Sequence, residues 1–384
     1  MARTPEKFRE SGVDVRIRTR VEEIDAKSAR VRLSDGSELA FDILALGTGA
    51  LAVRPDIPGT GLPGVFTLKK LEEALAIKEY VGNKVFRKAV IVGAGFIAME
   101  MCEALRGRGM ETTVVHRGQL PVGRWDPDFG KLIVTELEKN GVAFLPNVEI
   151  RAIEKGAEYP LRVITSQGDL DADLVLLAIG VRPDTALAKA AGVPLGKSGA
   201  IAVDFSQKTG REGIYAVGDC CESYHRVSRR WVNIPLGDIA NKQGRVAGAN
   251  IGGKAMIFPG IVGAQSFKIF SLEVAAAGID EREAAAVGYH PVSAVIWGNA
   301  IAPSMPGSKK VGIRLVADRA TGRLLGAQAL GETGAVSRVN ALACALWAGI
   351  GIDEIGYLDF AYAPPFSPAW DPIHIAAQTL RRKM

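Results

Sequence analysis

Residues 89–110, AVIVGAGFIAMEMCEALRGRGM, constrain the fold more than any other stretch. An apolar run of strand length meets a glycine turn and then a helix-like segment. Within it, Gly93-Ala94-Gly95-Phe96-Ile97-Ala98 matches the pattern G-x-G-x-x-G/A. The first glycine makes the turn, and the second lets the backbone approach a pyrophosphate. The small Ala98 lets the helix pack close to the strand. The start of such a helix also offers unpaired N–H groups and a positive partial charge to phosphates. Glycine turns can serve packing alone, but here a second strand follows at 113–115. A dinucleotide site is therefore expected on Gly93, Gly95, Phe96, Ile97 and Ala98.

The identity of the dinucleotide turns on the end of that second strand. An NAD site places a carboxylate about twenty residues beyond the first glycine, against the adenosine ribose. This chain has His116-Arg117 there, with Arg124 further on. A guanidinium suits a 2′-phosphate through bidentate, charge-assisted hydrogen bonds, which points to NADP(H). As solvated surface charge, the same arginines leave NAD(H) open.

Around this unit the 384 residues suggest two or three domains. Period-two alternation at 13–18 and 29–33, a Ser34-Asp35-Gly36-Ser37 turn and a third run from Phe41 to Leu46 predict an antiparallel meander ending on Gly47-Thr48-Gly49. A Pro/Gly linker follows at 54–64. Later signals are a helix near 127–140, short strands between 142 and 179, and the buried strand 173–180, DLVLLAIG. An apolar strand then closes on Gly218-Asp219, and a helix over 238–251 stops at Gly252-Gly253. Beyond Pro259 come strands at 293–297, 311–317 and 324–329, a helix at 334–349 and an extended aromatic–proline tail.

The net charge of +5 is spread along the chain, so no nucleic-acid partner is expected. No apolar run is long enough to span a bilayer, and residues 1–5 open no signal peptide. Cys102, Cys220, Cys221 and Cys344 lack zinc or CxxC spacing, and His225 and His290 have no ligand partners at metal spacing, so no metal site is expected. A reducing cytoplasm is the expected setting.

Taken in order, Gly47-Thr48-Gly49, the Gly93 loop ending in Glu100, Gly180-Val181-Arg182-Pro183, Gly218-Asp219 and Asn241-Lys242-Gln243-Gly244-Arg245 resemble the pyridine nucleotide–disulfide oxidoreductase family over essentially the whole chain. Ala361-Tyr362-Ala363-Pro364-Pro365-Phe366-Ser367 is similar to the NADH oxidase, polysulfide reductase and coenzyme A disulfide reductase branch. The resemblance implies an α/β fold of FAD- and NAD(P)-binding Rossmann-like domains with a C-terminal α+β dimerisation domain. The expected division is an FAD-domain remnant at 1–70, an NAD(P) domain at 71–190, the FAD-domain continuation at 191–258 and the dimerisation domain at 259–384.

By that resemblance, Gly47, Thr48, Gly49, Gly218 and Asp219 line an FAD site, and Gly180 closes the strand beside the nicotinamide. Glu100 would lie where nicotinamide meets flavin, and Tyr362 would reach the partner subunit's flavin in a homodimer. The implied activity is hydride transfer from NAD(P)H through FAD to a small-molecule disulfide, polysulfide or dioxygen acceptor. The family's N-terminal βαβ unit, with its own glycine loop and reactive cysteine, is expected to be absent, because the chain begins directly before the meander. Trp370 stands where the coenzyme A disulfide reductases carry a basic residue, which weighs against a coenzyme A substrate. Two other readings compete: a catalytically silent NAD(P)-binding and dimerisation module without FAD, and a flavin-free dehydrogenase. No acid–base pair near Gly93 supports the latter.

Overall fold

Four apolar residues in succession, Ala89 to Val92, can be satisfied only where both faces of a strand are covered, and they form the middle of a five-stranded parallel sheet. The computed structural model describes residues 4–82 and 87–384. The sheet order is Val65–Thr67, Leu174–Leu177, Lys88–Val92, Glu111–His116, Val142–Pro146. Leu174–Leu177, the expected buried strand, is buried at every residue and pairs with strands on both sides. The helices Phe96–Arg106 and Pro127–Lys139 return the chain between neighbouring strands. The second starts where Asp126 accepts the Asp128 N–H at 2.9 Å and Pro127 presets the first turn.

By its contacts the chain divides into two compact units. One holds this sheet with Leu51–Arg182, Tyr224–Arg230 and Gly260–Met384. Its C-terminal part is a five-stranded antiparallel sheet in the order Gln265–Ile269, Leu272–Gly278, Leu324–Gly331, Lys310–Asp318, Pro291–Asn299. Leu324–Gly331, buried throughout, runs through its centre, and the helices Ala335–Ala348 and Pro372–Arg381 pack against the sheet.

Within this unit the first hairpin of the antiparallel sheet clamps the helices Phe96–Arg106 and Pro127–Lys139. The Phe96 ring stacks on Phe267 at 4.8 Å. Glu103 accepts from Lys268 Nζ and the Phe270 N–H, both at 3.0 Å. Glu136 accepts from the Ser271 N–H at 2.9 Å and its hydroxyl at 2.7 Å. The helix behind the glycine loop is thus fixed from outside its own sheet.

The other unit comprises the chain up to Ala50, Pro183–Ser223 and Trp231–Pro259. Its meander is Val21–Asp25, Arg30–Leu33, Glu38–Ala40. Two expectations are corrected here. Residues 13–18 form no strand despite their alternation. Val13 and Ile17 are 48% and 58% exposed, so two of the run's three apolar side chains stay in solvent. The run ending at Leu46 also leaves the meander, because Leu44–Leu46 pairs in parallel with Ile214–Ala216, some 170 residues away in the chain. That pair joins Ile24, Val31, Leu33 and Ile201 in the unit's core.

Candidate functional site

The expected turn forms at Gly93. Its N–H donates to the Val115 carbonyl at 2.9 Å, which closes the loop against the next strand. Its φ of +105° is costly for any residue with a side chain, and a Cβ there would lie 2.4 Å from the Ala178 oxygen. Gly95 is the helix N-cap in extended conformation and makes no side-chain cap bond. A Cβ on Gly95 would meet nothing within 4 Å, so the space above the helix start is open. The first N–H groups of Phe96–Arg106 consequently face a cleared cradle, as a pyrophosphate requires. Ala98 is fully buried under the helix.

Further along the helix, Cys102 is packed in the core and burial pushes its thiol up to about 12, so it stays protonated and inert. Glu100 lies on the exposed side, yet partial loss of hydration raises its carboxyl above the ordinary value. Among the described residues it makes no hydrogen bond or ion pair. Gly180, at φ +121°, has open space around it, and its carbonyl accepts from the Val53 N–H at 2.9 Å.

At the end of Glu111–His116 the carboxylate of an NAD site is missing, as the sequence indicates. Burial lowers the affinity of His116 for a proton, opposed by a hydrogen bond to the Leu120 backbone. The imidazole folds onto its own following turn: a Cβ on Gly118 would come within 2.8 Å of His116 Nε2. Arg117 is exposed and forms no ion pair among the described residues. Arg124 differs from it, because its Nη1 lies 2.9 Å from Glu283 of the antiparallel-sheet domain.

A cavity of about 400 Å³ opens past the edge strand Val65–Thr67, lined by Arg54, Lys69, Lys70, Arg182, Thr67 and Glu73 among others. Burial of the Glu73 carboxyl is outweighed by bonds from the Thr67 hydroxyl and the Lys70 and Lys69 N–H groups, so its pKa falls. The wall thus carries four cations, Arg54, Lys69, Lys70 and Arg182, and one retained negative charge on Glu73.

The second cradle is assembled from distant segments of the other unit. After Leu44–Leu46, the Thr48 hydroxyl donates to the Asp184 carbonyl at 2.5 Å, and the Asp184 N–H donates to the Gly49 carbonyl at 2.9 Å. Gly49 turns at φ +75° with nothing within 4 Å of a Cβ. Gly218, at φ +78°, donates its N–H to Gln243 Oε1 at 2.8 Å. Gln243 Nε2 in turn donates to the Ser223 hydroxyl at 2.9 Å. Asn233 Nδ2 donates to the carbonyls of Asp219 and Cys221 at 3.0 Å each. Helix Gly237–Ile251 begins without a side-chain cap, leaving its first N–H groups available. Cys220 and Cys221 are buried, and each thiol donates to backbone carbonyls. Burial first, then the Cys220 neighbour, pushes the Cys221 pKa well up.

Tyr362 is 56% exposed and makes no hydrogen bond among the described residues. Its segment is held by a buried pair, Arg338 Nη2 to Asp371 Oδ2 at 2.8 Å, and by the Ser367 hydroxyl to the same oxygen at 2.9 Å. Gln243 lies inside the motif run 241–245, which by itself gives it no role. Gln328 and Glu283, which grip the 124–126 stretch, lie too far along the chain for any local pattern to mark them.

The sequence profile of the pyridine nucleotide-disulphide oxidoreductases matches residues 2–244, and that of the family's dimerisation domain matches residues 264–372. The chain belongs to this family. It is similar to the CoA-dependent NAD(P)H sulfur oxidoreductase of Pyrococcus furiosus, at 36% identity over 98% of this chain and 85% of the relative. Among solved structures, an NAD-dependent persulfide reductase from A. fulgidus superposes with a TM-score of 0.95 at 34% identity, covering 99% of this chain and 71% of that one. An FAD-dependent pyridine nucleotide-disulphide oxidoreductase from Desulfovibrio vulgaris gives 0.84 at 32% identity, covering 97% and 91%. The expected α/β fold with a C-terminal dimerisation domain is that of the family. Among the described residues no helix is long and apolar enough to cross a membrane.

Proposed function

We propose that this chain is a flavin-dependent NAD(P)H oxidoreductase that reduces a disulfide, polysulfide or dioxygen. The observation that carries the reading is the cleared cradle at Gly93 and Gly95 in front of an uncapped helix, in a chain matched by the family along almost its whole length. Relatives named as sulfur and persulfide reductases support this over a silent nucleotide-binding module.

The residues fit both cofactors. Gly93, Gly95, Phe96, Ile97 and Ala98 would hold the nicotinamide coenzyme's pyrophosphate, with Arg117 free to meet a 2′-phosphate, so NADP(H) is the proposed donor and NAD(H) the alternative. Gly47, Thr48, Gly49, Gly218 and Asp219 would hold FAD, supported by open space at Gly49 and the uncapped Gly237–Ile251 helix. Bound FAD supplies the acceptor for the nicotinamide's hydride and passes the electron pair onward. The chain's part is positioning: Gly180 clears space for the nicotinamide, and Glu100, with its raised pKa, offers a partly desolvated carboxyl beside it.

The dimerisation-domain match and the exposed Tyr357, Tyr362, Phe366 and Trp370 support a homodimer in which Tyr362 serves the partner's flavin. A cytoplasmic setting fits the four cysteines, none of which is in a disulfide. The test is NADPH oxidation followed with a small disulfide, polysulfide or dioxygen as sole acceptor. Acceptor-dependent consumption is expected with at least one of them, and no consumption with any contradicts the proposal.

A further inference from the structure

The stretch after Glu111–His116 is held from behind by the dimerisation domain. Gln328 spans it: its Nε2 donates to the Arg124 carbonyl at 3.1 Å, and its Oε1 accepts the Asp126 N–H at 2.8 Å. Asp126 in turn caps the next helix. The backbone course of residues 124–126 is therefore set by a buried amide and does not depend on the Arg124 side chain. That side chain is 75% exposed and engages Glu283, 35% exposed, at 2.9 Å. Glu283 lies in the first turn of helix Glu281–Ala286, which Asp280 caps through the Glu283 N–H. Among the described residues the Glu283 carboxylate pairs with that guanidinium and with no other cation.

We propose that Glu283 is a specificity-determining residue for the coenzyme, holding Arg124 in an ion pair that competes with the coenzyme's 2′-phosphate. This rests on the NADP(H) reading above. A carboxylate at hydrogen-bond distance occupies part of the donor fork and cancels the charge that a phosphate dianion would meet. Among the described residues Arg117 has no such rival, and it carries the phosphate contact alone until Arg124 is released. The dimerisation domain thus sets how strongly the chain prefers the phosphorylated coenzyme.

The test measures NADPH, NADH and 2′-phospho-AMP binding to the full-length protein by titration. Glu283→Gln removes the competing charge while keeping the side chain's size. NADPH and 2′-phospho-AMP affinity should rise about two- to fivefold, the range of an exposed ion pair. NADH affinity should not change, and adding Arg124→Ala should abolish the gain. The control is Arg117→Ala, which should selectively weaken NADPH. If the control behaves so while Glu283→Gln leaves NADPH unchanged, weakens it, or moves NADPH and NADH equally, the Glu283 proposal is overturned and the coenzyme reading stands. An NADPH-to-NADH ratio unchanged in every variant overturns both.

Discussion

The two proposed cofactor cradles are built in opposite ways. The one at Gly93 is local: strand, turn and helix run without interruption from Lys88 to Arg106, inside a sheet whose central strands are covered on both faces. The one at Gly49 and Gly218 is gathered from residues 44–49, 184, 214–223, 233 and 243, joined by a two-stranded parallel pair and by single side-chain bonds such as that of Gln243. A local cradle stands or falls with its own backbone geometry. A gathered one depends on a few buried polar links, any of which can release it.

The largest expected effect tests the local side. Gly93→Ala puts a Cβ 2.4 Å from the Ala178 oxygen at φ +105°, so NAD(P)H affinity should fall roughly 100-fold, about 3 kcal/mol. FAD content should stay at the wild-type level. Loss of both cofactors together would show that the cradles are not independent.

Acid separates the same two regions. All four histidines belong to the unit that carries Gly93. Burial lowers His225 from 6.5 to about 4, opposed by a bond to the Val262 backbone, and its Nδ1 accepts the Ser228 N–H at 3.2 Å. The folded unit therefore keeps this ring neutral, whereas the unfolded chain binds a proton below 6.5. Its contribution is complete above pH 6.5 and is lost as pH falls toward 4, at most about 3 kcal/mol. Denaturant melts across this window should show that loss, and His225→Gln should flatten it.

On the gathered side, Gln243→Ala leaves the Gly218 N–H and the Ser223 hydroxyl without their partner. An unsatisfied buried group costs about 1–3 kcal/mol. FAD retention on dilution should drop several-fold while NADPH binding persists; equal retention would mean that Gln243 does not support the cradle.

This contrast also explains what the sequence could show. The Gly93 loop, the buried strand Leu174–Leu177 and the helix Pro127–Lys139 were legible because the periodicity and turn chemistry that define them lie within a few residues. Thr48 and Gly218 became visible only through the ordered family motifs, since their partners Asp184 and Gln243 are far along the chain. Residues 13–18 form no strand because alternation reports only the ability to form a half-buried one, and Val13 and Ile17 stay in solvent. The grip of Gln328 and Glu283 on residues 124–126 carries no local signature, because a half-buried glutamate on a short helix looks the same with or without an arginine facing it.

The most direct measurement is the flavin content of the purified chain and its visible absorbance when NADPH is added without oxygen. We predict stoichiometric FAD whose absorbance is bleached by NADPH. A colourless protein that binds NADPH and takes up no added FAD would contradict the account of two working cradles in one chain.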